Sequence, residues 1–235
     1  MDQAELKLVL DLHAKWLNDE EGGKFADLSG ADLRGASLRN ANLRNAELFG
    51  ANLSHANLSG ADLSGAHLSD ALLCHAMLIE TNLQHARLCF SNMRGADLCD
   101  ADLSGAHLSG AILHDVDLSD ANLRDIKHDL DKVLAAAPSE VPQLLQTLKD
   151  GNVDGSCYEG TCCCLVGTIA KLKGCYYRDL EGIEPDHSRP IEKWFMAIRE
   201  GDTPRNNPVA KIVAEWIEEW MAARQTANPE EQSNG

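Results

Sequence analysis

The stretch "SGADLRGASLRNANLRNAELFGANLSHANLSGADLSGA", residues 29–66, sets a leucine at every fifth position and, with no break, an alanine two residues before each. An α-helix turns about 100° per residue, so a step of five rotates about 140° and scatters the leucines around the axis. A flat strand alternates sides, so an odd step sends successive leucines to opposite faces. Neither template gives the leucines a common interior. A chain that bends once per repeat does, because each Leu and its partner Ala then point inward at every bend. Single repeats cannot bury these side chains, whereas stacked coils can, and the pattern therefore predicts a solenoid.

The beat extends well beyond the quoted stretch. Of the 20 positions from 28 to 123, all are Leu except Met93, and of the 20 from 26 to 121, all are Ala except Thr81, Ser91 and Val116. The substitutes are small or volume-matched, as a packed interior requires. Gly, Ser, Asn, Asp and Arg dominate the other three places, which suits turns and solvated positions.

The units "ADLSG ADLRG", "NANLR", "GANLS" and "SGADLSGAHLS" resemble the A-(D/N)-L-x-x units of the pentapeptide-repeat proteins over residues 26–125. The resemblance implies a right-handed quadrilateral β-helix, a β-solenoid with four pentapeptides per coil. The 20 units would then make five coils, a rod of about 24 Å at the ~4.8 Å spacing of paired strands. The family's best-understood members bind and protect DNA gyrase, a type II topoisomerase, as acidic rods similar to duplex DNA in size and charge. This chain departs from that subgroup in having no Phe at the central positions, no loop interrupting the beat, and a long continuation beyond the repeats.

Charge narrows the function classes. The net charge is −16 and the sequence pI about 4.8, so direct binding to a nucleic-acid backbone is not expected, and partners should carry basic or polar surfaces. No run approaches the roughly 18 apolar residues of a membrane span, and the opening segment is acidic where a signal peptide is basic. The expectation is a cytoplasmic protein whose 8 Cys are reduced thiols. The segments "YEGTCCCLVGTIA" and "GDTPRNNPVAKIVAEWIEEW" resemble the C-terminal region of bacterial and phage pentapeptide-repeat proteins, which implies a bacterial or phage type.

Residues 20 apart stack if there are four units per coil, and this defines candidate surfaces. Asp97 and Asp117 precede central leucines on one side, with Glu80, Asp100 and Asp120 at the adjoining corner. These five form an acidic ladder suited to a protein partner, although Asp and Asn also serve turns by accepting backbone hydrogen bonds. Over residues 25–126, 13 Asp and Glu oppose 6 Arg and no Lys, a net of −7. Leu72 and Ile112 replace the usual Asp or Asn on the neighbouring side, with Phe90 at the corner, and predict an exposed apolar docking patch. The six repeat histidines read as solvated substitutions, with His55 and His75 stacked one coil apart.

The ends follow a different grammar. Residues 1–24 predict a capping helix, with Leu6, Val9, Leu10, Trp16 and Leu17 at helical spacing, and residues 25–126 form the solenoid. Residues 127–225 predict an α-helical domain, with Ser139 as an N-cap and a last helix opening at Asn207 and Pro208. In that helix Val209, Ile212, Val213, Trp216, Ile217 and Trp220 form one apolar stripe, which serves as core, as a seam between domains or as a homodimer interface. Residues 226–235 read as a disordered tail.

Chemistry has few footholds. "DGNVDG" at 150–155 resembles the opening of a calcium loop but places Thr161 where a bidentate Glu belongs, with Glu159 two residues short. Cys157, Cys162, Cys163, Cys164 and Cys175 lack the paired spacing of a zinc site, and a Cys nucleophile with His187 has no supporting pattern. No cofactor, metal or catalytic residue is therefore assigned. The expected function is that of a non-enzymatic protein-binding rod, an acidic DNA mimic. The alternatives are a scaffold whose helical domain carries partner specificity, and an enzyme or metal module in the Cys-rich segment.

Overall fold

The computed structural model describes residues 1–153, 165–175, 180 and 189–227. The chain divides into two compact units, Met1–Ile126 and Lys127–Gly235. In the first, the place before each central residue pairs in parallel with its counterpart 20 residues on, from Asp27 with Glu47 to Asp102 with Asn122. Four five-residue sides per turn of the chain follow directly, and 20 repeats make five coils. The pairing consists of isolated bridges, and no continuous strand occurs among the described residues. The reason is geometric: each side is left after one bridged residue because the chain turns a corner three residues on, at Gly30 after Asp27 and at every fifth residue thereafter.

Each side carries a fixed set of backbone bonds. In the first, Leu28 N–H donates to Glu47 O at 2.8 Å, Glu47 N–H to Ala26 O at 3.0 Å and Gly30 N–H to Phe49 O at 2.8 Å. A turn bond from Ala31 N–H to Leu28 O at 3.0 Å closes the corner. Every fifth residue from Gly30 to Asp120 has φ in the left-handed region. Glycine, Asn, Asp and His adopt that conformation at least cost, and they fill all these corners except Glu80 and Phe90.

Chemistry at the place before each leucine is equally regular. Wherever it is Asp or Asn, as in Asp27, Asn57, Asp102 and Asn122, its Oδ1 accepts the N–H two residues on. This is the Asx turn that makes these residue types the repeat's default. The central residues from Leu28 to Leu113, Met93 included, are buried, while Leu118 in the last coil is half-buried. The two hydroxyls that replace alanine stay satisfied, Thr81 Oγ1 donating to Leu58 O and Ser91 Oγ to Leu88 O.

The first coil is covered by α1, Gln3–Leu17. Asp2 caps it through the N–H groups of Ala4 and Glu5, and Glu5 returns a bond to Asp2 N–H. Leu6 and His13 are buried on its inner face, and Gln3 Nε2 donates to Ser37 O at 3.4 Å.

The second unit is helical: α2 (Arg124–Ala136, its first turn in the first unit), α3 (Val141–Lys149), α4 (Leu165–Lys173), α5 (Pro190–Phe195) and α6 (Pro208–Ala227). Ser139 is not the cap of α3. Glu140 occupies that place without a side-chain bond, and Pro142 in the first turn needs no N–H partner there. Asn207 does cap α6, its Oδ1 accepting Ala210 N–H at 3.0 Å. α6 runs through Ala227, two residues into the stretch expected as a tail. No helix among the described residues is long and apolar enough to cross a membrane.

Two carboxylates, half-buried Asp129 and buried Glu192, tie these helices together. Asp129 on α2 accepts Ile191 N–H at the start of α5 and pairs with Arg189 at 3.5 Å. Glu192 on α5 is fully buried and accepts the N–H groups of Leu165 and Val166, both at 3.0 Å, at the start of α4. Burial pushes its carboxyl up to about 7, against the pull of those two N–H donors and of Arg189.

Candidate binding surface of the repeat unit

Take the side centred on Leu38, Leu58, Leu78, Leu98 and Leu118. Its outward places read Ser37, Arg39 and Asn40 in the first coil, Asn57, Ser59 and Gly60 in the second, then Met77, Ile79 and Glu80 in the third. The fourth and fifth coils present Asp97, Cys99 and Asp100, then Asp117, Ser119 and Asp120. The backbone fixes all of them: Met77 bridges Asp97, Asp97 bridges Asp117, and Glu80, Asp100 and Asp120 sit at left-handed corners.

Turn chemistry occupies one oxygen of each ladder Asp that precedes a leucine. Asp97 Oδ1 accepts Cys99 N–H at 3.1 Å, and Asp117 Oδ1 accepts both Ser119 N–H and its hydroxyl. The Ser119 bonds hold the Asp117 carboxyl below the usual range. Each Asp keeps its second oxygen, and none of the five carboxylates forms an ion pair among the described residues. Asp100, Asp117, Asp120 and Glu80 are exposed and Asp97 is half-buried. Cys99 reports the local field, since burial first, then the carboxylates of Asp100, Asp117 and Asp97, raise its thiol. A rigid row of negative charge spaced by coil height can meet a row of cations without ordering its own side chains first.

The sequence pattern did not single out Met77, which is 41% exposed just below the ladder, with Ile79 beside it. The signal was present in the same comparison by 20 residues that exposed Leu72. The apolar patch is laid out along the neighbouring side: Leu72 bridges Asn92 and Asn92 bridges Ile112. Leu72 is 41% exposed, Phe90 64% exposed and Ile112 half-buried. Phe90 lies over Gly110 of the next coil, in space that a side chain there would need. His55 and His75 stack at 5.3 Å between ring centroids, while His67 pairs with Glu47 at 2.7 Å.

The α6 stripe divides. Val209, Val213 and Ile217 are buried within the helical unit, whereas Ile212, Trp216 and Trp220 are half-buried. Lys127 lies over Trp216 and Arg224 over Trp220. Cys157, Glu159, Thr161, Cys162, Cys163, Cys164 and His187 lie outside the described residues, and Cys175 is a half-buried free thiol. Among the described residues no group of three His, Cys, Asp or Glu side chains is arranged to hold a metal ion.

Five four-sided coils with left-handed corners and inward leucines define a β-solenoid built from pentapeptides. Residues 26–65, 56–95 and 91–127 match the model of the pentapeptide repeats, in 8 copies, and the chain belongs to the pentapeptide-repeat proteins. Membership implies a right-handed β-helix for the coils. Among solved structures, the chain is similar to Rfr23 of the cyanobacterium Cyanothece 51142, at 40% identity over 37% of this chain and 60% of that one, with a TM-score of 0.37. A pentapeptide repeat protein of the Arabidopsis thaliana thylakoid lumen shows 34% identity over 46% of this chain and 76% of that one, with a TM-score of 0.34. QnrB1, a plasmid-mediated fluoroquinolone resistance protein, shows 24% identity over 44% of this chain and 60% of that one, with a TM-score of 0.22. No curated protein matches the chain.

Proposed function

We propose that this is a non-enzymatic binding protein of the cytoplasm whose acidic side, formed by Glu80, Asp97, Asp100, Asp117 and Asp120, occupies the DNA-binding surface of a protein such as a type II topoisomerase. The observation that carries the reading is the ladder itself: five carboxylates on one side and corner of three consecutive coils, none of them ion-paired among the described residues. The mechanism is competition, in which fixed carboxylates satisfy basic side chains that otherwise hold phosphates. Such contacts weaken as salt screens them. The resemblance of the repeats to gyrase-binding members of the family selects DNA gyrase as the first partner to try.

The test is inhibition and protection of purified DNA gyrase at low and moderate salt, with the variant Asp97→Asn, Asp100→Asn, Asp117→Asn and Asp120→Asn alongside. Asparagine keeps the turn acceptor and suits the left-handed corner, so the variant removes charge while leaving the coil chemistry in place. A salt-sensitive effect lost in the variant supports the reading; an effect that survives both changes rules the ladder out. The second reading, a scaffold whose helical unit carries specificity, is favoured by the half-buried Trp216 and Trp220. It predicts that full-length protein carrying Trp216→Ala and Trp220→Ala loses its partner while the four-Asp variant keeps it.

A further inference from the structure

We infer that His13 is a pH-released latch that holds α1 on the open end of the solenoid. In the body of the rod each corner N–H donates to the carbonyl 19 residues on, as Gly30 does to Phe49 and Asn40 to Ser59. Each first-place alanine donates to the leucine before it, as Ala31 does to Leu28. The first coil has no predecessor to supply these partners at Arg44 O and Ala26 N–H. His13 supplies both: its Nε2 lies 3.0 Å from Arg44 O, and Ala26 N–H donates to its Nδ1 at 3.1 Å. The ring thus stands in for two backbone groups of a missing coil.

Only one form of the ring can do this. Nδ1 must accept, so it carries no proton, and Nε2 must donate, which defines the neutral Nε2–H tautomer. Protonation places a second N–H against Ala26 N–H and loses that bond. The ring is fully buried, stacked on Trp16 at 5.6 Å and edge-on to Phe25 at 5.8 Å, so a charge there has no water to solvate it. Burial accordingly lowers its pKa, opposed only by the Arg44 carbonyl. The ionisable groups around it, Asp11 and Lys15 on α1, Lys24 on the link and Asp27 and Arg44 on the coil, are exposed to solvent.

Besides His13, two polar bonds tie the helix to the coils, from Gln3 Nε2 to Ser37 O and from the Met1 amine to Asp32 O, both at 3.4 Å. Leu6 is buried, but Val9, Leu10, Leu12 and Leu17 are half-buried and Leu8 is 60% exposed. Because the docked form prefers neutral His13, docking is fully supported above the free imidazole pKa of about 6.5 and weakens as pH falls below it. The ratio of docked to undocked helix then drops by up to about tenfold per pH unit until the docked ring itself titrates.

The experiment follows the His13 ring nitrogens by NMR in the full chain from pH 8 to 5, together with the exchange protection of Ala26 N–H corrected for intrinsic rate. The expected result is the Nε2–H tautomer, a midpoint below about 6.5, and Ala26 protection falling with His13 protonation while Leu68 N–H stays protected. His13→Gln, which offers an acceptor and a donor without a titratable charge, should flatten the pH dependence. A midpoint at or above the free value, constant Ala26 protection down to pH 5, or an unchanged dependence in His13→Gln overturns the latch. If that variant does not fold, the wild-type titration and exchange decide alone.

Discussion

The first two coils, residues 26–65, carry four carboxylates against three arginines, while the last three, residues 66–125, carry nine against three. Both halves use the same bridges, left-handed corners and buried leucines. The same backbone therefore carries different outward charge, and the carboxylates are concentrated in one half on an unchanged frame. Fold and the proposed binding surface are written in different positions of the same five-residue unit. Asp97 and Asp117, like the other Asp residues before a leucine, serve both, because one oxygen of each closes the turn while the other is left to the surface.

The strongest way to break that separation is to alter an inward position. Leu68→Ala removes a fully buried side chain and should cost about 2–5 kcal/mol, read as a lower denaturation midpoint of the repeat unit. The four-Asp variant should leave that midpoint nearly unchanged. A comparable loss in both would mean that outward charge is part of the frame.

The helical unit offers the second contrast, because single groups there do what a repeat does elsewhere. Glu192→Ala leaves two N–H groups of α4 without their acceptor and should cost about 3 kcal/mol, seen as selective loss of the α4 and α5 amide protection. The carboxyl, raised from its ordinary 4.5 to about 7, binds protons more tightly folded than unfolded. Stability of this unit should thus be greatest below about 4.5 and decline as pH rises through 7, a trend that Glu192→Gln should remove.

Corner strain is a smaller effect of opposite sign. Phe90 holds φ of 59° with its ring 64% exposed, so Phe90→Gly should stabilise the repeat unit by about 1 kcal/mol. If it destabilises instead, the ring's packing over Gly110 outweighs the backbone term. The smallest effect is local: Cys99, held protonated by burial and by Asp100, Asp117 and Asp97, should react faster with a thiol reagent in the four-Asp variant. Site-resolved labelling by mass spectrometry would show this, with Cys74 as an internal reference.

The frame was legible because its rule is strictly periodic: the central residues from 28 to 113 and the alanines between them follow from spacing and sterics, while the 20-residue step came from the resemblance to the pentapeptide-repeat proteins, which implies four units per coil. Lateral placement of the acidic ladder and of Leu72 and Ile112 followed from the same arithmetic. His13 was not legible, since a lone histidine in an amphipathic helix gives no sign that it will meet Arg44 O and Ala26 N–H. Glu192 was hidden for the same reason, its partners lying 26 and 27 residues away in sequence with no periodicity to connect them. Ser139 misled because a good capping residue lay one place too early, and Pro142 removed the need for it.

The central claim, that outward carboxylates on an invariant frame make the binding surface, is tested most directly by the salt dependence of binding to purified DNA gyrase. Affinity measured across a salt series should fall steeply for the wild-type protein and follow a clearly shallower slope for the four-Asp variant, with equal thermal midpoints for the two. Equal slopes for the two proteins, or no binding by the wild type even at low salt, would contradict it.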